Sequence, residues 1–240
     1  MVEAQYDVGA RERVRDRIVE IERQIDEKRY RPGPWDRALR DARALSREDR
    51  GVLKEELSRI SNKLHRRDGR ATLSVATGVF AEAGLTILGG VLIVLAVHNQ
   101  SNLGGIIAAV IWMMTFQPLI KIGVGYLLGI GYEYAYLYNF EPRFKMRYGD
   151  YLAAPRWARI VLHLSGTIGS PLGAWLAMIC LPGDLRIGID VCRGIFWVAV
   201  AVNVVGFIVA LAGVRKLGPM KASASSGGVA ALELREALEI

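Results

Sequence analysis

The sequence predicts an all-α protein, an integral membrane four-helix bundle that follows an N-terminal cytoplasmic helical hairpin. Residues 1–70 hold 19 of the 31 Lys and Arg residues and 15 of the 24 Asp and Glu residues. Four later stretches are apolar runs longer than 18 residues with almost no charge, which is typical of helices that span a bilayer. The expected domains are therefore a charged helical hairpin over 1–70, a four-span domain over 71–216 and a flexible tail over 217–240. Within the tail, 223–228 is expected to be a flexible linker, and a short helix over 230–238 is one prediction for its end.

The four spans are predicted near 72–98, 103–128, 158–181 and 193–214. The second apolar stretch continues to residue 140, and at 1.5 Å per residue one helix over 103–140 would be about 57 Å long. Because bilayer hydrocarbon is only about 30 Å thick, the chain must continue along or beyond the far interface. Tyrosines gather at that end, as in an interfacial aromatic belt. Whether 132–140 extends the second span or lies at the interface stays open.

The charges of the connecting segments predict the orientation. Lys and Arg concentrate just before the first span, in the 133–159 loop and directly after the last span. In contrast, 98–104 carries no formal charge, and 181–194 has two arginines balanced by two aspartates. The positive-inside rule therefore places both termini and the 133–159 loop in the cytoplasm, with the spans in the cell (inner) membrane. The charged first 70 residues exclude a cleavable secretory signal ahead of the spans.

The net charge of +7 indicates attraction to anionic lipid headgroups rather than to nucleic acid. Besides the bilayer, the expected partners are a second copy of the chain or another membrane protein. Within the 133–159 loop, the segment 141–151 is either an interfacial segment with arginines on lipid phosphates or a binding site for a headgroup or other anion. The candidate headgroup-binding residues are Arg66, Arg67, Arg70, Arg143, Lys145 and Arg147.

Two narrow apolar seams run through the N-terminal region. Each seam repeats with 4-3-4 spacing on an otherwise charged helix: Val14, Ile18, Ile21 and Ile25, then Leu53, Leu57, Ile60 and Leu64. Antiparallel pairing of the two helices would bury both seams, and self-association as a coiled coil is the alternative. Pro34 suits the first position of a short middle helix. Ser46 with Asp49 resembles a capping box for the helix beginning near Arg47.

Three ionisable residues of different spans share one depth. Counted from the outer ends of their spans, Glu82 lies about 24 Å deep, and Lys121 and His163 lie about 27 Å deep. Isolated charges in hydrocarbon are costly, so a Glu82–Lys121 ion pair with His163 nearby is expected. Whether this cluster handles protons or a substrate, or is only a buried ion pair, stays open. In the alternative interpretation, Lys121 reaches the headgroups and His163 binds a backbone carbonyl.

Small residues at four-residue spacing predict close helix packing. The third span carries Ser165, Gly169, Gly173 and Ala177 in one row. Such faces let helix backbones approach each other closely in lipid. The row indicates a tight bundle and no particular chemistry.

The sequence offers little for catalysis. With three histidines in all, it has no His-x-x-x-His or Cys-x-x-Cys spacing, no Gly-x-Ser-x-Gly and no nucleotide-binding fingerprint. No catalytic residue, metal or cofactor is therefore predicted. A non-enzymatic membrane protein with an assembly, regulatory or solute- or proton-conducting role is favoured, and the alternative is a small enzyme acting on lipid at the cytoplasmic face.

The two cysteines, Cys180 and Cys192, are expected at the outer ends of the third and fourth spans. Eleven residues separate them, enough for a loop to bring two helix ends together, so a disulfide is one prediction. The alternative is that both are small apolar residues packed in the bundle.

Overall fold

The computed structural model of the protein describes residues 8–67, 71–138, 141–214, 216–217, 220–221 and 226–237. By contacts, the chain divides into two compact units, and each is interrupted in sequence. The N-terminal unit consists of Met1–Ala71, Gly129–Gly131 and Met146–Pro155. The spanning unit consists of Thr72–Leu128, Tyr132–Lys145 and Arg156–Ile240.

The N-terminal unit contains five described helices. They are α1 (Val8–Asp26), α2 (Pro34–Ala44), α3 (Arg47–Val52), α4 (Lys54–Arg66) and α7 (Tyr148–Ala153). Its core includes most of the two apolar seams, with buried Val14, Ile18, Ile21, Leu53, Leu57 and Ile60. As predicted, Pro34 starts α2. The Ser46 hydroxyl caps α3, accepting from the Asp49 N–H at 3.0 Å and donating to its carboxylate at 2.7 Å.

The direction of α4 differs from the predicted antiparallel hairpin. Ion pairs between α1 and α4 join residues whose numbers rise together: Arg15 with Glu56 at 3.1 Å, Glu22 with Arg59 at 2.7 Å, and Asp26 with Lys63 at 2.8 Å. The two helices are therefore parallel. The antiparallel partner of α1 is α2, as the Arg17–Asp41 ion pair indicates. The physical reason is the intervening α2, whose 11 residues carry the chain back by about 16 Å before α3 and α4 begin.

The spanning unit contains four helices long and apolar enough to cross a membrane. They are α5 (Val75–His98), α6 (Asn102–Leu127), α8 (Arg156–Cys180) and α9 (Arg186–Leu211). These bounds agree with the predicted spans to within three residues, except that α9 begins seven residues before the predicted 193. The earlier start lets the Asn102 side chain accept a 2.7 Å hydrogen bond from the Gly188 N–H, in the first turn of α9.

The row of small residues on α8 faces α6. Ser165, Gly169, Gly173 and Ala177 are all buried. A Cβ on Gly173 would lie 2.5 Å from the backbone carbonyl of Trp112, and one on Gly169 would overlap the backbone of Gln117. Close approach of α6 and α8 therefore depends on these glycines.

A small sheet follows α6 where a continued helix or an interfacial segment was the expectation. Its strands are β1 (Thr72–Leu73), β2 (Tyr132–Tyr138) and β3 (Glu141–Met146), in that order. β1 and β2 are antiparallel, with Thr72 opposite Tyr136. β2 also packs on α5, because Gly78 leaves room for Ala135 and the Phe144 ring.

Part of the expected flexible tail is a docked helix. β4 (Lys216–Leu217) and β5 (Met220–Lys221) form a short antiparallel pair, and α10 (Ser226–Ala237) follows. α10 packs on α8 and α9. The short helix predicted over 230–238 is present and begins four residues earlier. The tail is therefore not flexible over 226–237, because Ala230 and Ala231 cover an apolar surface. Of the predicted 223–228 linker, residues 223–225 lie outside the described residues.

Candidate functional site

Two members of the predicted intramembrane cluster are closed to solvent. Glu82 on α5 is 1% exposed, and His163 on α8 is 4% exposed. Lys121 lies on α6, and its ammonium is within range of electrostatic interaction with the His163 imidazole and the Arg143 guanidinium. The Glu82–Lys121 ion pair stays a prediction.

A polar contact between α5 and α6 lies one turn from Glu82. The Thr86 hydroxyl, one turn along α5, donates to the Glu82 backbone carbonyl at 2.9 Å. The Trp112 indole N–H crosses from α6 and donates to the Thr86 carbonyl at 2.8 Å. The indole fits because Gly89 has no side chain, and a Cβ there would lie 2.5 Å from the ring. α5 and α6 are thus joined by a buried polar contact one turn from Glu82.

Lys121 is fixed through its backbone by the sheet. The Tyr132 hydroxyl of β2 donates to the Lys121 carbonyl at 2.8 Å. The Tyr132 ring packs edge-on against Tyr126 and Phe144, with ring centroids 5.5 and 6.4 Å away. Burial, with a smaller effect of Tyr126, raises the pKa of the Tyr132 phenol. Tyr132 therefore stays a hydrogen-bond donor at every physiological pH.

A second buried charged site connects α8 to α10. The Arg159 Nε lies 3.4 Å from the Glu233 Oε2, and the two side chains are 2% and 5% exposed. Arg159 precedes His163 by one helical turn, and the two interact electrostatically. Neither residue was predicted to belong to a site. A signal for Arg159 existed, because the buried face of α8 continues from Gly166 through His163 to Arg159.

The candidate headgroup-binding residues do not form one group. Arg66 ends α4 and is exposed. The Arg67 guanidinium lies 5.3 Å from the centre of the Tyr30 ring, a cation–π contact. Arg70 lies outside the described residues. Arg147 belongs to the N-terminal unit, where it pairs with Glu55 at 2.7 Å.

Arg143 and Lys145 lie two residues apart on β3, in the spanning unit. Arg143 is exposed and Lys145 is half-buried. Burial lowers the pKa of the Lys145 amine from 10.5 to about 8, although the Glu133 carboxylate acts in the opposite direction. Lys145 is therefore a less basic amine than an ordinary surface lysine.

Two segments of the connection between α6 and α8, Gly129–Gly131 and Met146–Pro155, belong to the N-terminal unit. The Gly149 N–H of α7 donates to the Ser58 hydroxyl of α4 at 2.9 Å, in a buried contact. A Cβ on Gly149 would overlap the Lys54 carbonyl. The Gly131 carbonyl accepts from the Arg147 N–H at 2.9 Å. Since α7 lies close against α4, the second of these segments is part of the core of this unit.

Both cysteines are free thiols, and the predicted disulfide is not formed. Cys180 is exposed at the end of α8. Cys192 is fully buried among Ile93, Ala96 and Ala108. The physical reason is the early start of α9, which places Cys192 six residues, or about 9 Å, inside the helix. Cys192 thus packs as a small apolar residue.

Comparison with known proteins returns no relative. No family model matches the chain, and neither a curated protein nor a solved structure matches it significantly. Over the described residues, no three His, Cys, Asp or Glu side chains come together as metal ligands.

Proposed function

We propose that this chain is a non-enzymatic, multi-pass protein of the cell (inner) membrane with an assembly or regulatory role. Both termini and the 133–159 loop would lie in the cytoplasm, and the N-terminal unit would be the module that meets a partner. The partner would be a second copy of the chain or another membrane protein, next to anionic lipid.

One observation carries this proposal, which is that α7 and the helices before the first span form one compact unit. Segments on opposite sides of a bilayer cannot share a hydrophobic core, so α1–α4 and the loop between α6 and α8 belong on one side. The charges of the loops favour the cytoplasmic side. The unit is continuous in sequence with α5, α6 and α8, so a partner that changes its packing acts on three spans at once.

The closed polar sites support a non-conducting, non-enzymatic role. Glu82 and His163 are buried, and the Arg159–Glu233 pair is enclosed between helices. A conduction path or a substrate site would have to expose ionisable groups to water. Arg147, one of the predicted headgroup-binding residues, is already engaged by Glu55.

Topology is the first test. In a chain carrying Cys180→Ser and Cys192→Ala, single cysteines are placed by Lys28→Cys, Asn99→Cys and Asp184→Cys at exposed positions. A membrane-impermeant maleimide should label positions 99 and 184 in intact cells and position 28 only after permeabilisation. Labelling of position 28 in intact cells would contradict the proposed orientation.

The role is tested with the purified full-length chain. Native mass spectrometry in nanodiscs should detect a second copy of the chain or a co-purified membrane protein. Gly149→Ala damages the N-terminal unit and should abolish this association. Gly51→Ala serves as the matched control because its Cβ meets nothing within 4 Å. Proton flux in proteoliposomes above that of empty vesicles would indicate conduction, and turnover of added phospholipid would support the lipid-enzyme alternative.

A further inference from the structure

The C-terminal helix α10 covers the end of the spanning unit at which α9 finishes. Ala231 packs against Ala210 of α9, with Phe207 and Leu211 beside them. Ala230 and Ala231 are fully buried. α10 thus presents an apolar face to α8 and α9, and docking removes that face from water.

The turn out of α9 is shaped to receive α10. Gly213 has φ of +80°, a conformation that glycine adopts without strain, and ends α9 as helix-terminating glycines do. A Cβ at this position would overlap the guanidinium of Arg235. The glycine therefore serves both the turn and the close contact with α10.

Glu233 lies on the buried face of α10, and its carboxylate meets Arg159 of α8. Burying two charges costs desolvation energy that their attraction repays only with good geometry, so such a pair adds little net stability. Removing one partner, in contrast, leaves an uncompensated buried charge and is strongly unfavourable. The Arg159–Glu233 pair therefore holds α10 at one position on α8 and makes docking sensitive to the loss of either charge.

Arg159 is also the neighbour of the intramembrane cluster. It lies one turn from His163 on the buried face of α8, and His163 interacts with Lys121 of α6. We propose that α10 is a lid, held by the Arg159–Glu233 ion pair, that closes the end of the spanning unit over His163. Its release would admit water or a polar ligand to the His163 region. This proposal is independent of the role proposed for the N-terminal unit.

The test measures thiol accessibility in the full-length chain. In the background Cys180→Ser and Cys192→Ala, reporters are placed by Ala231→Cys on α10 and by His163→Cys on α8, in nanodiscs where both faces are open. Both reporters should react slowly with maleimide in the parent chain. Glu233→Gln should raise both rates at least about tenfold, since it removes the carboxylate that faces the buried Arg159 guanidinium. The exchanged pair, Arg159→Glu with Glu233→Arg, should restore slow labelling.

Two controls separate lid opening from unfolding. Asp190→Asn removes an exposed ion pair with Arg193 and should leave both rates unchanged. Ala108→Cys, in the buried core at the far end of the bundle, should stay protected in the Glu233→Gln chain. Fast labelling of position 231 in the parent chain would overturn the proposal. The proposal would also be overturned if Glu233→Gln left position 163 protected, or if it exposed position 108 as well.

Discussion

Ser58 and Gly149 lie 91 positions apart in the chain and share a buried 2.9 Å hydrogen bond from the Gly149 N–H to the Ser58 hydroxyl. Between them in sequence lie two candidate spans and a sheet. The contact places a segment of the connection between α6 and α8 inside the unit built by the N-terminal helices. The chain could connect α6 to α8 without any contact to the N-terminal helices. The hydrogen bond is therefore a consequence of folding and not of chain connectivity.

Gly149→Ala should disrupt this unit. The added methyl group would overlap the Lys54 backbone carbonyl, which cannot move like the end of a flexible side chain. Overpacking typically costs about 1–3 kcal/mol, and a backbone obstacle favours the upper end of that range. We expect a lower melting temperature of the detergent-solubilised protein. Gly51→Ala in α3 is the control and should be neutral or slightly stabilising, because helix interiors favour alanine. An equal loss of melting temperature in both variants would argue against the close contact at Gly149.

The helical seams show what sequence periodicity can and cannot decide. The 4-3-4 spacing around Ile18 and Leu57 correctly indicated which faces are buried. Spacing along one helix carries no information about the direction of its partner, and so the antiparallel hairpin was wrong. Direction depends on the segment between the helices, and α2 proved long enough to reverse the chain.

The tyrosines after α6 follow the pattern of a β-strand, although a strand was not predicted there. Tyr132, Tyr134, Tyr136 and Tyr138 alternate with period two, which is the pattern of a strand. Because an apolar span precedes them, they also fit an interfacial aromatic belt, and that was the prediction. The Arg159–Glu233 pair could not be predicted in the same way, since its residues lie far apart and only packing of α10 on α8 brings them together.

Gly173→Ala should push α6 and α8 apart. Its Cβ would lie 2.5 Å from the Trp112 carbonyl and 2.6 Å from the Met113 nitrogen, all backbone atoms. The cost should again be about 1–3 kcal/mol, seen as a lower melting temperature in micelles. Gly123→Ala is the matched control on α6 because nothing lies within 4 Å of its Cβ. Unchanged stability of Gly173→Ala would mean that the two helices are farther apart.

The Lys145 amine should make stability depend on alkaline pH. Its pKa is about 8 when folded, against 10.5 ordinarily, so between these values the unfolded chain binds the proton and the folded chain does not. Folding stability attributable to this group therefore rises with pH from about 8 to 10.5, and below 8 the folded chain bears the full cost of a half-buried cation. Melting curves from pH 7 to 10 should show this rise in the parent chain. If the melting temperature of Lys145→Gln rose with pH in the same way, the rise would not come from the Lys145 amine.

The two cysteines should differ sharply in reactivity. Cys180 is exposed at the end of α8, whereas Cys192 is enclosed by Ile93 and Ala108. In detergent we expect one thiol equivalent to react rapidly, and the second only after denaturation. Cys180→Ser should remove the fast reaction without loss of stability. Cys192→Ser should lower stability by about 1–3 kcal/mol, because it buries a hydroxyl in an apolar core. Two fast thiols would mean that Cys192 lies at the surface. If neither thiol reacted before a reductant was added, the two cysteines would form a disulfide, which would contradict this fold.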